Sequence, residues 1–478
     1  MITFTCCLIA LVLGYFFYGR FTERIFGIEP DRETPAYSLK DDVDYIPMPT
    51  WKVYMIQFLN IAGTGPIFGA IMGALFGSSS YLWIVFGCIF AGAVHDYMCG
   101  MLSLRNGGES LPELIGRYLG QNTKKVMLAF SIILLLLVGS VFVFSPAILL
   151  ANMTPPSMGT MFWIIVVFAY YILATLLPID KIIGKIYPLF AFALLFMAVG
   201  LIVMLYVNHP ALPEIWQGIS NEHADPANNP IFPCLFITIA CGALSGFHGT
   251  QSPLMSRCIK NEREGKKVFY GAMITEGIVA LIWAAVSAYL FHDNADNRLL
   301  SAPEVVYKIT HDWMGTLGSI LAILGVIAAP ITSGDTAFRS ARLIIADFFH
   351  IKQNRIGKRL IICIPLFLVS ILLLWYDEKD ANGFNTIWNY FGWANQTLAV
   401  FTLWAITSFL TREKKLYWIS LIPALFMTMV CTTYIFESEQ GLHLSAAVAQ
   451  LIGAVVTISI LVYYIVWKRG LNNVKIAQ

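Results

Sequence analysis

Long apolar runs separated by short polar connectors dominate this chain. Thirteen stretches have the length and composition of membrane spans, at about residues 2–18, 52–77, 80–103, 126–150, 160–178, 186–207, 231–255, 268–292, 314–340, 359–376, 385–410, 416–435 and 445–467. A helix of ~20 apolar residues crosses a bilayer, so the pattern predicts an all-α polytopic membrane protein. Two of these stretches resist being read as continuous helices. In Ile61-Ala62-Gly63-Thr64-Gly65-Pro66-Ile67-Phe68-Gly69-Ala70-Ile71-Met72-Gly73, the proline removes a ladder donor and each glycine costs about 1 kcal/mol relative to alanine. Cys241-Gly242-Ala243-Leu244-Ser245-Gly246-Phe247-His248-Gly249-Thr250-Gln251-Ser252-Pro253 repeats the anomaly five spans later.

Five is an odd number, so the two interrupted segments cross in opposite directions. Interrupted helices at matching places in two halves of a chain are the pattern of inverted-repeat transporters, whose site lies at the breaks. The expected division is residues 1–51 as a first helix and cytoplasmic linker, 52–207 and 208–410 as inverted five-helix repeats, and 411–478 as two added helices and a tail. Unwound carbonyls can hold a cation, and half-helix N-termini favour a carboxylate. The expected substrate positions are Gly63, Thr64, Gly65, Pro66, Ser245, Gly246, Phe247, His248 and Gln251. Close helix packing through small residues is the competing explanation of the glycines.

Composition agrees with the periodicity. Hydrophobic residues make up 58% of the chain and charged residues only 13%, half the charge of an ordinary globular protein. The net charge of +2 carries little information, whereas the placement of the charges carries much. Nearly all of the 31 Lys and Arg fall in connectors on one side; the other side holds only Arg298, Lys308 and Lys379. The positive-inside rule then puts the N-terminus outside and the C-terminus in the cytoplasm. The N-terminal run has no basic residue ahead of it, which reads as an uncleaved helix. Segment 19–51 reads as a solvated lead-in, and segment 105–125 as an interfacial helix or a loop.

Polar residues inside the spans supply candidate chemistry. Thr332, Asp335, Thr336 and Arg339 share one helical stripe, on which Asp335 and Arg339 can pair at i, i+4. The hydroxyls of Thr332, Ser333 and Thr336 suit a hard cation, or else simple helix–helix hydrogen bonding. His95-Asp96 and Glu276 lie deep in their spans, where charge costs at least ~2.5 kcal/mol. Such residues face a cavity or a partner, as candidate proton carriers or as structural charges. Asn395 and Gln396 are mid-span amides placed to bond unwound backbone. The nine cysteines show no disulfide framework, and no CxxC or Cys/His cluster suggests a metal. No cofactor and no nucleic acid are expected, only a small solute, lipid, and Na⁺ or H⁺ as coupling ion.

Several longer motifs carry a resemblance. Gly65-Pro66-Ile67-Phe68-Gly69-Ala70, Ala91-Gly92-Ala93-Val94-His95-Asp96, Cys241-Gly242-Ala243-Leu244-Ser245-Gly246-Phe247-His248, Ser333-Gly334-Asp335-Thr336-Ala337-Phe338-Arg339 and Phe391-Gly392-Trp393-Ala394-Asn395-Gln396 resemble the carbon starvation protein A family. The resemblance implies a secondary transporter related to the amino acid–polyamine–organocation superfamily, with LeuT-like inverted repeats. It also implies uptake of peptides, or of pyruvate, during nutrient limitation, in a shorter chain than other members. In that fold a cation commonly sits between the first and eighth core helices, which here brings Ala62 to Gly65 against Thr332, Ser333 and Thr336. The expected activity is therefore cation- or proton-coupled symport rather than catalysis. The alternatives are a channel or an intramembrane aspartyl protease, for which Ser333-Gly334 before Asp335 is an incomplete motif.

Overall fold

A computed structural model of the chain describes residues 1–176, 183–353, 355–379 and 383–476. These residues form helices and connecting turns, with no strand among them. Helix α1 spans Ile2–Phe26, and the first interrupted segment divides into α2 (Thr50–Ile61) and α3 (Gly65–Phe76), bent by 55°. Next come α4 (Ser79–Arg105), the short α5 (Leu111–Leu119), α6 (Gln121–Met153), α7 (Thr160–Leu176) and α8 (Ile183–Asn208). The second interrupted segment divides into a short irregular α9 (231–238) and α10 (Gly246–Ser256). The remainder is α11 (Glu262–Asp293), α12 (Ala302–Phe348), α13 (Ile356–Lys379), α14 (Gly383–Arg412), α15 (Trp418–Glu437) and α16 (Ala446–Ile476).

Eight helices among the described residues are long and apolar enough to cross a membrane, or up to nine if α2 and α3 form one span. The segment expected at 231–255 has no continuous helix, because residues 239–245 leave helical geometry. The end of the expected span 160–178 falls outside the described residues. Large apolar side chains such as Phe17, Phe86, Leu372, Leu451 and Val466 are exposed on the outside of the bundle, as a lipid-facing surface requires. Polar residues such as Asp96, His248, Glu276, Asp335 and Asn395 are instead buried. The chain is a multi-pass membrane protein.

Glycines set how closely the core helices approach. A Cβ on Gly65 would lie 2.2 Å from Cys241 Cβ, one on Gly73 2.2 Å from Ile239, and one on Gly69 2.8 Å from the Thr238 carbonyl. Part of the glycine signal is thus close packing, and the packing joins the two breaks to each other. Helix α12 carries Pro330 and packs on α6 and α8. The Tyr171 hydroxyl of α7 lies 2.7 Å from the Phe142 carbonyl and 2.9 Å from the Pro330 carbonyl, tying three helices at one point.

The segment before α2 departs from the expected solvated lead-in. The Thr34 hydroxyl donates to the Ile259 carbonyl (2.7 Å), and the Met48 N–H donates to that of Cys258 (3.1 Å). Asp44 is only 4% exposed. Its Oδ1 lies 3.4 Å from both Arg339 and Arg342, and these charges draw the segment against the helix ends. Segment 105–125 contains the amphipathic α5, which buries Leu111, Leu114 and Ile115 and packs on α6 and α14.

Candidate functional site

Two gaps in the helical ladder meet at the centre of the protein. Helix α2 ends at Ile61, and the Gly63 N–H turns back to the Ile61 carbonyl (2.9 Å). Helix α3 restarts through the Phe68 N–H, which donates to the Thr64 carbonyl (2.7 Å). Ala62 still donates to the Phe58 carbonyl (2.8 Å), but its own carbonyl lacks the helical donor from position 66, because Pro66 has no N–H to contribute. The Ser333 hydroxyl of α12 donates to the Leu59 carbonyl at 2.7 Å, so α12 directly supports the end of α2.

The second gap is held from three sides. The Trp83 indole N–H donates to the Ile239 carbonyl (2.9 Å), and the Gln396 amide donates to that of Phe236 (2.8 Å). Asn395 Oδ1 accepts the Phe247 N–H at 2.6 Å and the Ser245 hydroxyl at 3.1 Å. The N-terminus of α10 is therefore already capped by an amide from α14. Gly246 makes this possible, since a Cβ there would lie 2.3 Å from the Asn395 carbonyl oxygen.

Charged residues from three helices gather beside this gap. His95 and Asp96 lie on α4, His248 on α10 and Glu276 on α11, and all four are fully buried. Asp96 accepts on both oxygens, from His95 Nδ1 at 2.7 Å and from His248 Nδ1 at 2.9 Å. On the opposite edge of the same imidazole, His248 Nε2 lies 3.3 Å from Glu276 Oε2, outside hydrogen-bond geometry. Cys241 completes the group: its sulfur, a nitrogen of His248 and an oxygen of Glu276 lie within 4.8 Å of one another. Cys241 and His248 stand in one sequence motif, but Glu276, which completes the group, comes from α11 and was not visible beside them.

The stripe on α12 divides between two neighbourhoods. The Thr332 hydroxyl donates to the Ala329 carbonyl (2.8 Å) and that of Thr336 to the Ser333 carbonyl (3.1 Å). Each hydroxyl spends its proton on backbone and keeps oxygen lone pairs free. Asp335 and Arg339 have different partners rather than each other. Asp335 Oδ2 accepts from Tyr187 (2.6 Å), while Arg339 donates to the Ala174 carbonyl (2.7 Å) and reaches Asp44. Tyr187 from α8 and the folded-back segment before α2 intervene. Gln251 turns toward α12, where its Oε1 lies 3.5 Å from the Ser340 hydroxyl.

Sequence reading passed over Gln57 and Asn60, which lie on the last turns of α2; Thr64, already an expected substrate position, lies in the gap. All three side chains are buried, yet their polar atoms make no hydrogen bond. Two amides so close to a helix break were a usable signal in an otherwise apolar run. Cys241 stood inside a quoted motif without being given a role. An apolar groove of about 880 Å³ between α1 and α4 lies away from this centre on the outer face of the bundle.

A membrane protein of Haemophilus influenzae is 47% identical over a stretch covering 62% of this chain and 92% of its own length. The peptide transporter CstA of Escherichia coli is 24% identical, with 88% of this chain and 78% of that protein covered. The fold is similar to that of a mutant manganese transporter of Eremococcus coleocola, with a TM-score of 0.54 and 14% identity over 91% of this chain and 99% of the other. The family description "Carbon starvation protein CstA" matches residues 1–164, 151–312 and 300–434. By that match, which runs over most of its length, the chain belongs to the carbon starvation protein CstA family.

Proposed function

We propose that this protein is a secondary active transporter that takes up peptides, or a small carboxylate such as pyruvate, by cation- or proton-coupled symport. The observation that carries this reading is the contact of the two helix gaps, Gly65 against Cys241, in the buried centre of the bundle. Helix ends that meet inside a membrane leave backbone dipoles facing one another. They are tolerated where they line a transport site. The names of the relatives and the fold of the solved neighbour support the same class. In this reading residues 52–207 and 208–410 are LeuT-like inverted repeats within about thirteen spans. The N-terminus is then outside and the C-terminus inside the bacterial inner membrane.

The two half-helix N-termini are not equivalent. Asn395 occupies the start of α10, so a substrate carboxylate is directed to the start of α3. The unsatisfied groups of Gln57, Asn60 and Thr64 lie nearby in the chain and give peptide-like polar atoms their partners. Ser245, Phe247 and His248 form the opposite wall. A coupling cation fits between the Ala62–Gly65 backbone and the oxygens of Thr332, Ser333 and Thr336, since Ser333 already touches α2. His95, Asp96 and Glu276 then belong to the core that moves during transport. Asp335 and Arg339 anchor α12 toward the cytoplasmic side.

The test is uptake into proteoliposomes of labelled dipeptide and of labelled pyruvate, under separately imposed Na⁺ and H⁺ gradients. Gradient-driven accumulation of either solute is expected. Failure of both, and of other small organic solutes, would sink the transporter reading.

A further inference from the structure

The contact between His248 and Glu276 poses a chemical problem. Asp96 offers the imidazole only acceptor oxygens, so Nδ1, 2.9 Å from Asp96 Oδ2, carries hydrogen. In the neutral ring the Nε2 atom then presents a lone pair. It faces Glu276 Oε2 at 3.3 Å, and neither that nitrogen nor either Glu276 oxygen makes a hydrogen bond. Two lone-pair atoms held this close in a membrane interior need a proton or a cation between them. A proton, on the ring or on the carboxyl, is one answer. The nearby thiol of Cys241 points to another, because a proton between nitrogen and oxygen has no use for it.

From this geometry we infer that Cys241, His248 and Glu276 form a binding site for one borderline divalent transition-metal ion of the zinc class. Ligands at ~2.0–2.1 Å on a tetrahedral ion are separated by ~3.3–3.4 Å, the spacing found between His248 and Glu276. The sulfur lies in the same group, all within 4.8 Å. One sulfur, one nitrogen and one carboxylate oxygen suit a borderline metal, whereas Na⁺ and Mg²⁺ take oxygen ligands. Three protein ligands leave a fourth position open. Asp96 behind the imidazole holds the ring orientation, as the outer carboxylate of a carboxylate–histidine–metal unit does. A thiolate and a carboxylate together cancel the charge of a divalent ion, which lowers the cost of placing it in the membrane.

The site joins three elements: the unwound segment 239–245, α10 and α11. Asn395 Nδ2 and the Ser245 hydroxyl, both 3.6 Å from the sulfur, complete its surroundings. Metal binding here does not depend on the transport reading and is measured separately from it. The experiment uses the full-length protein in detergent, stripped by chelator and titrated with Co²⁺. One equivalent is expected, with a thiolate-to-cobalt charge-transfer band and the visible absorption of a tetrahedral ion, both displaced by Zn²⁺. Cys241→Ser removes the charge-transfer band, Glu276→Gln weakens binding at least tenfold, and Asp96→Asn weakens it about 10–100-fold. Cys6→Ser, on the exposed face of α1, leaves the band in place. Absence of a saturable band in the unmutated protein overturns the inference without any variant having to fold. So does a band that survives Cys241→Ser. Absence of gradient-driven uptake by a protein that shows the band counts against the transport reading alone.

Discussion

The Cβ position of Gly65 falls 2.4 Å from the sulfur of Cys241, so the two helix gaps touch with no room for a methyl group. Gly65→Ala must push the gaps apart at their crossing, at a cost of about 1–3 kcal/mol for overpacking. Thermal unfolding of the purified protein in detergent is expected to show the loss. The double variant Gly65→Ala/Cys241→Gly restores space at the crossing and recovers part of it. Equal losses in the single Gly65→Ala and double variants would show that the contact does not set the spacing.

Asn395 reaches from α14 to the first turn of α10, and the Phe247 N–H that it accepts has left the reach of its own helix. Asn395→Ala strands that donor in a buried place and leaves the Ser245 hydroxyl only the Cys241 sulfur at 3.6 Å, at about 1–3 kcal/mol. Asn395→Asp retains an acceptor oxygen for both donors and adds a charge that the helix N-terminus favours. The alanine variant is expected to lower the unfolding midpoint more than the aspartate variant does. The reverse order would remove the capping role.

What could be read from the sequence here follows the range of the interactions. Gly63, Gly65 and Pro66 weaken a helix through their own backbones, so the first break was visible locally. The structure adds its 55° bend. The charge of Asp96 and Glu276 was equally visible, as was the amide pair Asn395-Gln396. Partner choice was not, because it depends on which helices become neighbours. Asp96 and His248 are 152 positions apart in the chain, and nothing in either local pattern specifies the other. The same limit explains Arg339. Asp335 stands one turn away on its own helix, but Asp44 reaches the arginine from a segment that reads as solvated.

Among the hydroxyls of Thr332, Ser333 and Thr336, that of Ser333 donates across to the first broken segment, at 2.7 Å from the Leu59 carbonyl. If the coupling cation sits there, Ser333→Ala removes an oxygen ligand and frees the carbonyl to shift. A reduction in apparent Na⁺ affinity of about tenfold is expected in proteoliposome uptake, equivalent to about 1.4 kcal/mol. Thr336→Val, which removes another of the proposed cation oxygens, is expected to lower Na⁺ affinity as well, although that hydroxyl donates only within α12. Unchanged Na⁺ dependence in Ser333→Ala would remove the cation site from this position.

Asp44 gives the protein an acid-sensitive clamp at the ends of its helices. Burial pushes its carboxyl upward, but Arg342, Arg339, Arg257 and Arg359 outweigh that and hold it below the ordinary carboxylate value. A carboxyl depressed in the folded state stabilises above its unfolded pKa, about 3.9, and loses that contribution as pH falls through the folded value. Asp44→Asn leaves buried guanidinium groups without their shared anion, at about 3–5 kcal/mol near neutral pH. The difference in unfolding midpoint between the original protein and Asp44→Asn should therefore be full at pH 7 and narrow below about pH 4. Measuring both proteins across that range cancels the carboxylates they share. A gap that stays constant down to acid pH would mean that Asp44 contributes through packing rather than through its charge.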